Sequence, residues 1–125
     1  MAAKKILVVD DEAMVLESVQ LTLTHLGYGV ESASSGLEAL DKLSKDTFDL
    51  VVTDRRMPGM TGEQLAAEIK KRCPKMPIVL LTGFPPDTPP PEVDTVLVKP
   101  FSVVDLRNTV LELTKGSEDG KRKIP

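Results

Sequence analysis

The sequence predicts an α/β domain on a doubly wound, five-stranded parallel sheet in the order 2-1-3-4-5. Two observations carry that expectation. Short apolar runs alternate with amphipathic helical patterns along nearly the whole chain, as in a parallel sheet covered on both faces by helices. Residues with chemistry to offer (Asp10, Asp11, Asp54, Thr82 and Lys99) also fall at the ends of those runs, where open α/β sheets collect ligands. Right-handed crossovers leave few arrangements. The order 2-1-3-4-5 makes the first and third strands neighbours and gathers the acids in one cleft.

The elements follow in turn. Lys5 to Val9 reads as the first strand, and Glu12 to Leu26 as a helix with Met14, Val15, Val19, Leu23 and Leu26 on its apolar face. Gly27 stops that helix. Tyr28 to Ala33 is a weaker, edge-like strand, and Ser35 to Ser44 a short helix with Leu37, Leu40 and Leu43 in one stripe. The third strand is the apolar run Leu50 to Thr53, closed by Asp54. Thr61 is an N-cap with Gln64 as its capping-box partner, opening a helix through Leu65, Ala66 and Ile69 to about Arg72. Ile78 to Leu81 is the fourth strand, closed by Thr82, and Thr95 to Val98 the fifth, closed by Lys99-Pro100. Ser102 caps a last helix carrying Val103, Leu106, Val110 and Leu113. Residues 1–115 form the domain, and the polar, aperiodic stretch 116–125 reads as a disordered tail or linker.

One crossover breaks the pattern. Between the fourth and fifth strands the chain reads Gly83-Phe84-Pro85-Pro86-Asp87-Thr88-Pro89-Pro90-Pro91-Glu92. Proline lacks the amide donor and clashes with the preceding turn, so no regular helix can form here. A Pro-rich extended segment, polyproline II by default, replaces the crossover helix.

Composition bounds the function. At 125 residues the chain holds one domain, and a net charge of −3 argues against general binding to nucleic acid or anionic membranes. The single Cys73 excludes an internal disulfide and a thiolate metal cluster, and suits a reducing cytoplasm. No apolar stretch approaches membrane-spanning length. His25 reads as helix surface or a helix end, Cys73 as a packing residue, and Glu12 as a first-turn helix acid.

The strand-end set comprises three carboxylates, one hydroxyl and one ammonium. Clustered carboxylates repel unless a cation sits among them, and an all-oxygen, highly charged set suits Mg²⁺ shared with phosphate. Lys99 and the Thr82 hydroxyl can bind an incoming phosphoryl group, with Asp54 as the nucleophile that forms an acyl phosphate.

From about Lys4 to Thr114 the chain resembles the receiver domain of two-component response regulators, which have the flavodoxin-like fold. The matching residues are Asp10-Asp11, Asp54 with Met57-Pro58-Gly59 and Gly62, Thr82-Gly83, and Lys99-Pro100-Phe101. The resemblance implies that Asp54 accepts a phosphoryl group from a sensor histidine kinase or phosphotransfer protein, switching interactions with a downstream partner. It implies that Asp11 and Asp54 ligate Mg²⁺ with the backbone carbonyl of Arg56, and that Asp10 assists. Thr82 and Lys99 would hold phosphoryl oxygens, and the Lys99–Pro100 bond would be cis. Arg56 and Phe84 would flank the route of the hydrolytic water. A monomer is expected before phosphorylation, with no enzymatic activity beyond the domain's own phosphotransfer and dephosphorylation.

Two departures stand out. The position three before Lys99, normally aromatic in receivers that couple a Thr and an aromatic ring, is Val96, and the crossover helix is gone. Both lie on the side that carries phosphorylation to partners. A haloacid dehalogenase-type phosphatase is disfavoured because Asp10-Asp11-Glu12 lacks the Asp-x-Asp spacing, and a nucleotide-binding protein because no Gly-rich phosphate loop follows the first strand. The remaining alternative is a receiver-like interaction module that works without phosphorylation.

Overall fold

The computed structural model describes residues 4–86, 88 and 90–115. Strands β1 (Lys5–Val9), β2 (Gly29–Ala33), β3 (Leu50–Asp54), β4 (Ile78–Thr82) and β5 (Thr95–Val98) form one parallel sheet in the order β2-β1-β3-β4-β5. Its helices are α1 (Ala13–His25), α2 (Gly36–Lys45), α3 (Gly62–Arg72) and α4 (Val103–Thr114). Side chains alternate across the sheet and build two cores. Leu7, Val9, Val51, Ile78 and Leu80 pack with α2 and α3, whereas Ile6, Val8, Val52, Val79 and Leu81 pack with α1 and α4. The expected layering is therefore the observed one.

Local chemistry sets the helix ends. The Thr61 hydroxyl accepts the Gln64 N–H, and the Gln64 side chain accepts the Thr61 N–H, completing the predicted capping box. Ser102 and Asp105 do the same for α4. Gly27 ends α1 at φ +100°, a conformation that L side chains rarely adopt. α3 buries Leu65 and Ile69 completely, each contributing about 1.5–3 kcal/mol.

Four expectations need correction. Met14 (85% exposed) and Val103 (57% exposed) are not core residues. Each sits in the first turn of a helix that starts beyond the carboxyl ends of the strands, where little sheet lies beneath it. Leu37 is 72% exposed, because α2 buries Gly36, Ala39 and Leu43, and Leu37 lies about 100° around the helix from Gly36. Glu12 is the N-cap of α1 instead of a first-turn acid.

Between β4 and β5 the described residues form bends and a turn at Pro91–Glu92, with no helix. Among its described residues the link is helix-free as expected, though bent, not straight. Val93 plugs the space beneath it at 8% exposure, and Asp94 is fixed by Lys70 Nζ at 2.9 Å and the Ile78 N–H at 2.8 Å. The cover is thin: β3 and β4 are wholly buried, while Val96 is half-buried and Val98 exposed. Asp87 and Pro89 of the proline segment, and the tail expected at 116–125, lie outside the described residues.

At the amino ends of the strands, Lys5 Nζ pairs with Glu31 at 2.7 Å and with Asp46, and lies 5.1 Å from the centre of the Phe48 ring. Asp49 accepts the Lys5 N–H at 2.8 Å. This cluster is remote from the residues singled out in the sequence.

Candidate functional site

Register brings the strand ends level. Val9 pairs with both Ala33 and Thr53, Asp54 with Leu81, and Thr82 with Val98. Three ladders then run one residue further: Asp10 N–H to Ala33 O at 3.1 Å, Arg55 N–H to Leu81 O at 2.9 Å, and Lys99 N–H to Thr82 O at 2.8 Å. Asp10, Arg55 and Lys99 are thus held by main-chain bonds just past their strands, while Asp54 and Thr82 close theirs within the ladder, so each side chain starts from a fixed point.

Carboxylate oxygens of Asp10, Asp11 and Asp54 lie within 4.8 Å of one another. Asp10 and Asp54 are buried, whereas Asp11 faces solvent. Lys99 Nζ donates to Asp54 Oδ1 at 2.7 Å and offsets one of the three charges. Asp10 Oδ1 accepts the Glu12 N–H at 2.9 Å, but Oδ2 is buried without a partner. Burial pushes the Asp10 carboxyl up to about 6; the Glu12 N–H and Lys99 oppose the rise, and the charges of Asp54 and Asp11 add to it. A buried, unpartnered oxygen beside two further carboxylates is what a hard divalent cation would satisfy, so the donor set fits Mg²⁺.

The acceptor loop is shaped by α3. The Gly62 N–H donates to Arg55 O at 2.8 Å. A Cβ on Gly62 would come within 2.3 Å of the Asp54 carbonyl oxygen and 2.7 Å of Leu80 Cδ1. Only glycine lets the helix start this close to the end of β3.

Thr82 stands at the neighbouring strand end, but its hydroxyl is engaged elsewhere. It accepts the Phe84 N–H at 3.0 Å and donates to Phe84 O at 3.1 Å. The Arg56 guanidinium lies 5.3 Å from the centre of the Phe84 ring. The Lys99–Pro100 bond is cis, as the resemblance implied. His25 is exposed at the last position of α1, and Cys73 packs against the core at the end of α3. Beside the site, Met14, Val15, Val19, Pro100, Phe101 and Val103 line an apolar depression of about 430 Å³.

One residue was not foreseen. Arg55 donates from Nε to Glu63 at 2.8 Å and from Nη1 to Phe84 O at 2.5 Å. Its adjacency to Asp54 was visible, but a bond to a carbonyl 29 positions away leaves no trace in composition or spacing.

The family model for the response regulator receiver domain matches residues 6–111. A putative transcriptional regulator of Haloferax volcanii is 38% identical over 126 residues, covering 98% of this chain and 22% of the relative. The chain thus spans about a fifth of that relative's length. Among solved structures, the chemotaxis protein CheY4 of Vibrio cholerae superposes with a TM-score of 0.85 at 34% identity, covering 90% of this chain and 99% of that one. The response regulator TrrA of Thermotoga maritima, solved in complex with Mg²⁺-BeF, gives 0.83 at 37% identity, covering 88% and 98%.

Proposed function

The chain belongs to the response regulator receiver domain family, and from that premise we propose that Asp54 accepts a phosphoryl group from the phosphohistidine of a sensor histidine kinase or phosphotransfer protein. Receiver domains are phosphoacceptor signalling modules, and this activity follows from membership. The assignment to Asp54 rests on one observation: its carboxylate is buried, sits within 4.8 Å of those of Asp10 and Asp11, and is held by Lys99 at 2.7 Å.

In this reading a carboxylate oxygen of Asp54 attacks phosphorus. The bond from phosphorus to the donor's imidazole nitrogen breaks, and that nitrogen keeps the electron pair and takes up a proton. Mg²⁺, held by Asp10, Asp11, Asp54 and by resemblance the Arg56 carbonyl, supplies neutralisation of phosphoryl charge when bound. Lys99 passes from Asp54 to a phosphoryl oxygen, and Thr82 donates its hydroxyl proton to another. Phe84 and Arg56 crowd the approach of water.

Among the described residues no helix is long and apolar enough to cross a membrane. We place the domain in the cytoplasm, monomeric before transfer, and acting on a partner that the phosphorylated form selects. Incubation with acetyl phosphate and Mg²⁺ followed by intact mass measurement tests the reading. Wild type gains one phosphoryl mass only with Mg²⁺, and Asp54→Asn gains none. Labelling retained in Asp54→Asn overturns the assignment, and no labelling of wild type turns the reading to a phosphorylation-independent interaction module.

A further inference from the structure

Arg55 is the junction of three elements. Its N–H extends the β3–β4 ladder to Leu81 O, and its carbonyl accepts the Gly62 N–H at the start of α3. Its guanidinium bonds Glu63, in the first turn of α3, and the carbonyl of Phe84, in the link that follows β4. The side chain is largely covered, at 25% exposure. Among the described residues the link contains no helix, and side-chain bonds from Thr82 and Arg55 reach its second residue, Phe84.

Phe84 O has two donors, the Thr82 hydroxyl at 3.1 Å and Arg55 Nη1 at 2.5 Å. A hydroxyl carries a single proton. If Thr82 turns that proton to a phosphoryl oxygen, it can no longer donate to Phe84 O, and Arg55 becomes the donor that remains. Charge-assisted bonds are the stronger kind, so the carbonyl stays satisfied. Resting on the phosphoacceptor reading of Asp54, we propose that Arg55 is a positioning residue that takes over the Phe84 carbonyl when Thr82 binds the phosphoryl group. It thereby keeps the first residues of the proline link beside Thr82 and couples them to α3. The Arg56–Phe84 ring contact grips the same residue from its side chain.

An ordinary surface ion pair would behave differently. If Arg55 served only to pin α3, its loss would loosen the link equally with the site empty or loaded. The handover instead makes the effect depend on state, because with the site empty Thr82 still holds both polar groups of Phe84.

Amide hydrogen exchange at Gly83 and Phe84, measured by NMR with and without Mg²⁺ and beryllofluoride, reads this directly. Fluorine NMR on the same samples reports whether the phosphoryl mimic is bound. In Arg55→Ala, exchange at Phe84 should quicken about tenfold or more over wild type in the loaded form and less than about threefold in the empty form. Glu63→Gln, which leaves the guanidinium but weakens its anchor, should show the same state dependence at smaller size, and serves if Arg55→Ala does not fold. Equal ratios in the two states, or no change in either, overturn the inference while leaving Asp54 as acceptor. Failure of wild type to bind beryllofluoride brings down the phosphoacceptor reading and this inference together.

Discussion

Lys99 Nζ reaches Asp54 Oδ1 at 2.7 Å although the strands that carry them are not neighbours. β4 lies between β3 and β5, so the Lys99 side chain spans the end of the intervening strand to reach Asp54. Asp54 is buried and Lys99 half-buried, so removing the ammonium leaves a buried carboxylate uncompensated. Lys99→Ala is therefore expected to destabilise the metal-free protein at neutral pH by about 1–3 kcal/mol, with partial recovery on adding Mg²⁺. Urea unfolding with and without the metal checks this, and an unchanged or increased midpoint in the metal-free variant contradicts it.

Asp10 gives a dependence on pH. Its folded carboxyl titrates at about 6 against an ordinary 3.8, so the folded chain holds more protons than the unfolded chain between those values. Stability from this group is then present below about pH 4 and is lost as pH rises through about 6. Asp10→Asn should stabilise the metal-free protein at neutral pH by on the order of 2 kcal/mol and hardly at all near pH 4. The same substitution should weaken stabilisation by Mg²⁺. Paired denaturation curves at the two pH values decide it, and a uniform effect at both would be the wrong result.

Gly62→Ala tests the close approach of α3. With the Asp54 carbonyl 2.3 Å from the new Cβ, either the helix or the acceptor loop must shift. A loss of about 2–3 kcal/mol and slower uptake from acetyl phosphate are expected. Wild-type stability and uptake in this variant would show that the contact relaxes freely.

The lifetime of the phosphorylated form should depend on the Arg56–Phe84 pair. Hydrolysis of an acyl phosphate needs in-line water, and the two bulky groups lie in contact beside the site. Arg56→Ala combined with Phe84→Ala is expected to shorten the phosphorylated state several-fold, followed as loss of phosphoryl mass with time. An unchanged decay rate counts against the role.

Output should bypass the face that receivers commonly use. Val96 has no ring to swing, and no helix joins β4 to β5 among the described residues. Sedimentation with beryllofluoride should show no new dimer, and responses should concentrate in residues 83–94. A symmetric dimer disrupted by charge reversal at Arg107, exposed on α4, yet indifferent to changes in the proline segment, would be the contrary finding.

Much of this was legible in the sequence for a physical reason. Strand ends are marked where an apolar run meets a charged or hydroxyl residue, so Asp54, Thr82 and Lys99 announced themselves. Capping boxes are local, and Thr61 with Gln64 needed no tertiary knowledge. Periodicity, by contrast, tells which residues share a helix face but not whether anything covers the first turn, which is why Met14 and Val103 were misplaced. The rotamer of Thr82 and the reach of Arg55 to Phe84 depend on a chain reversal between distant segments, and no local pattern encodes them.

The Lys5 cluster carries a practical consequence. Lys5 opens β1 and Thr114 closes α4, and both lie at the pole opposite Asp54 because the strands are parallel and α4 runs back along them. The separation is about a strand's length, roughly 17 Å. A fluorescent reporter attached beside Lys5 or Thr114 would leave the acceptor pocket open to a donor protein. Any such reporter would register loading of Asp54 only through strain transmitted across the sheet, which makes energy transfer between the two positions a direct gauge of how rigid this small scaffold is.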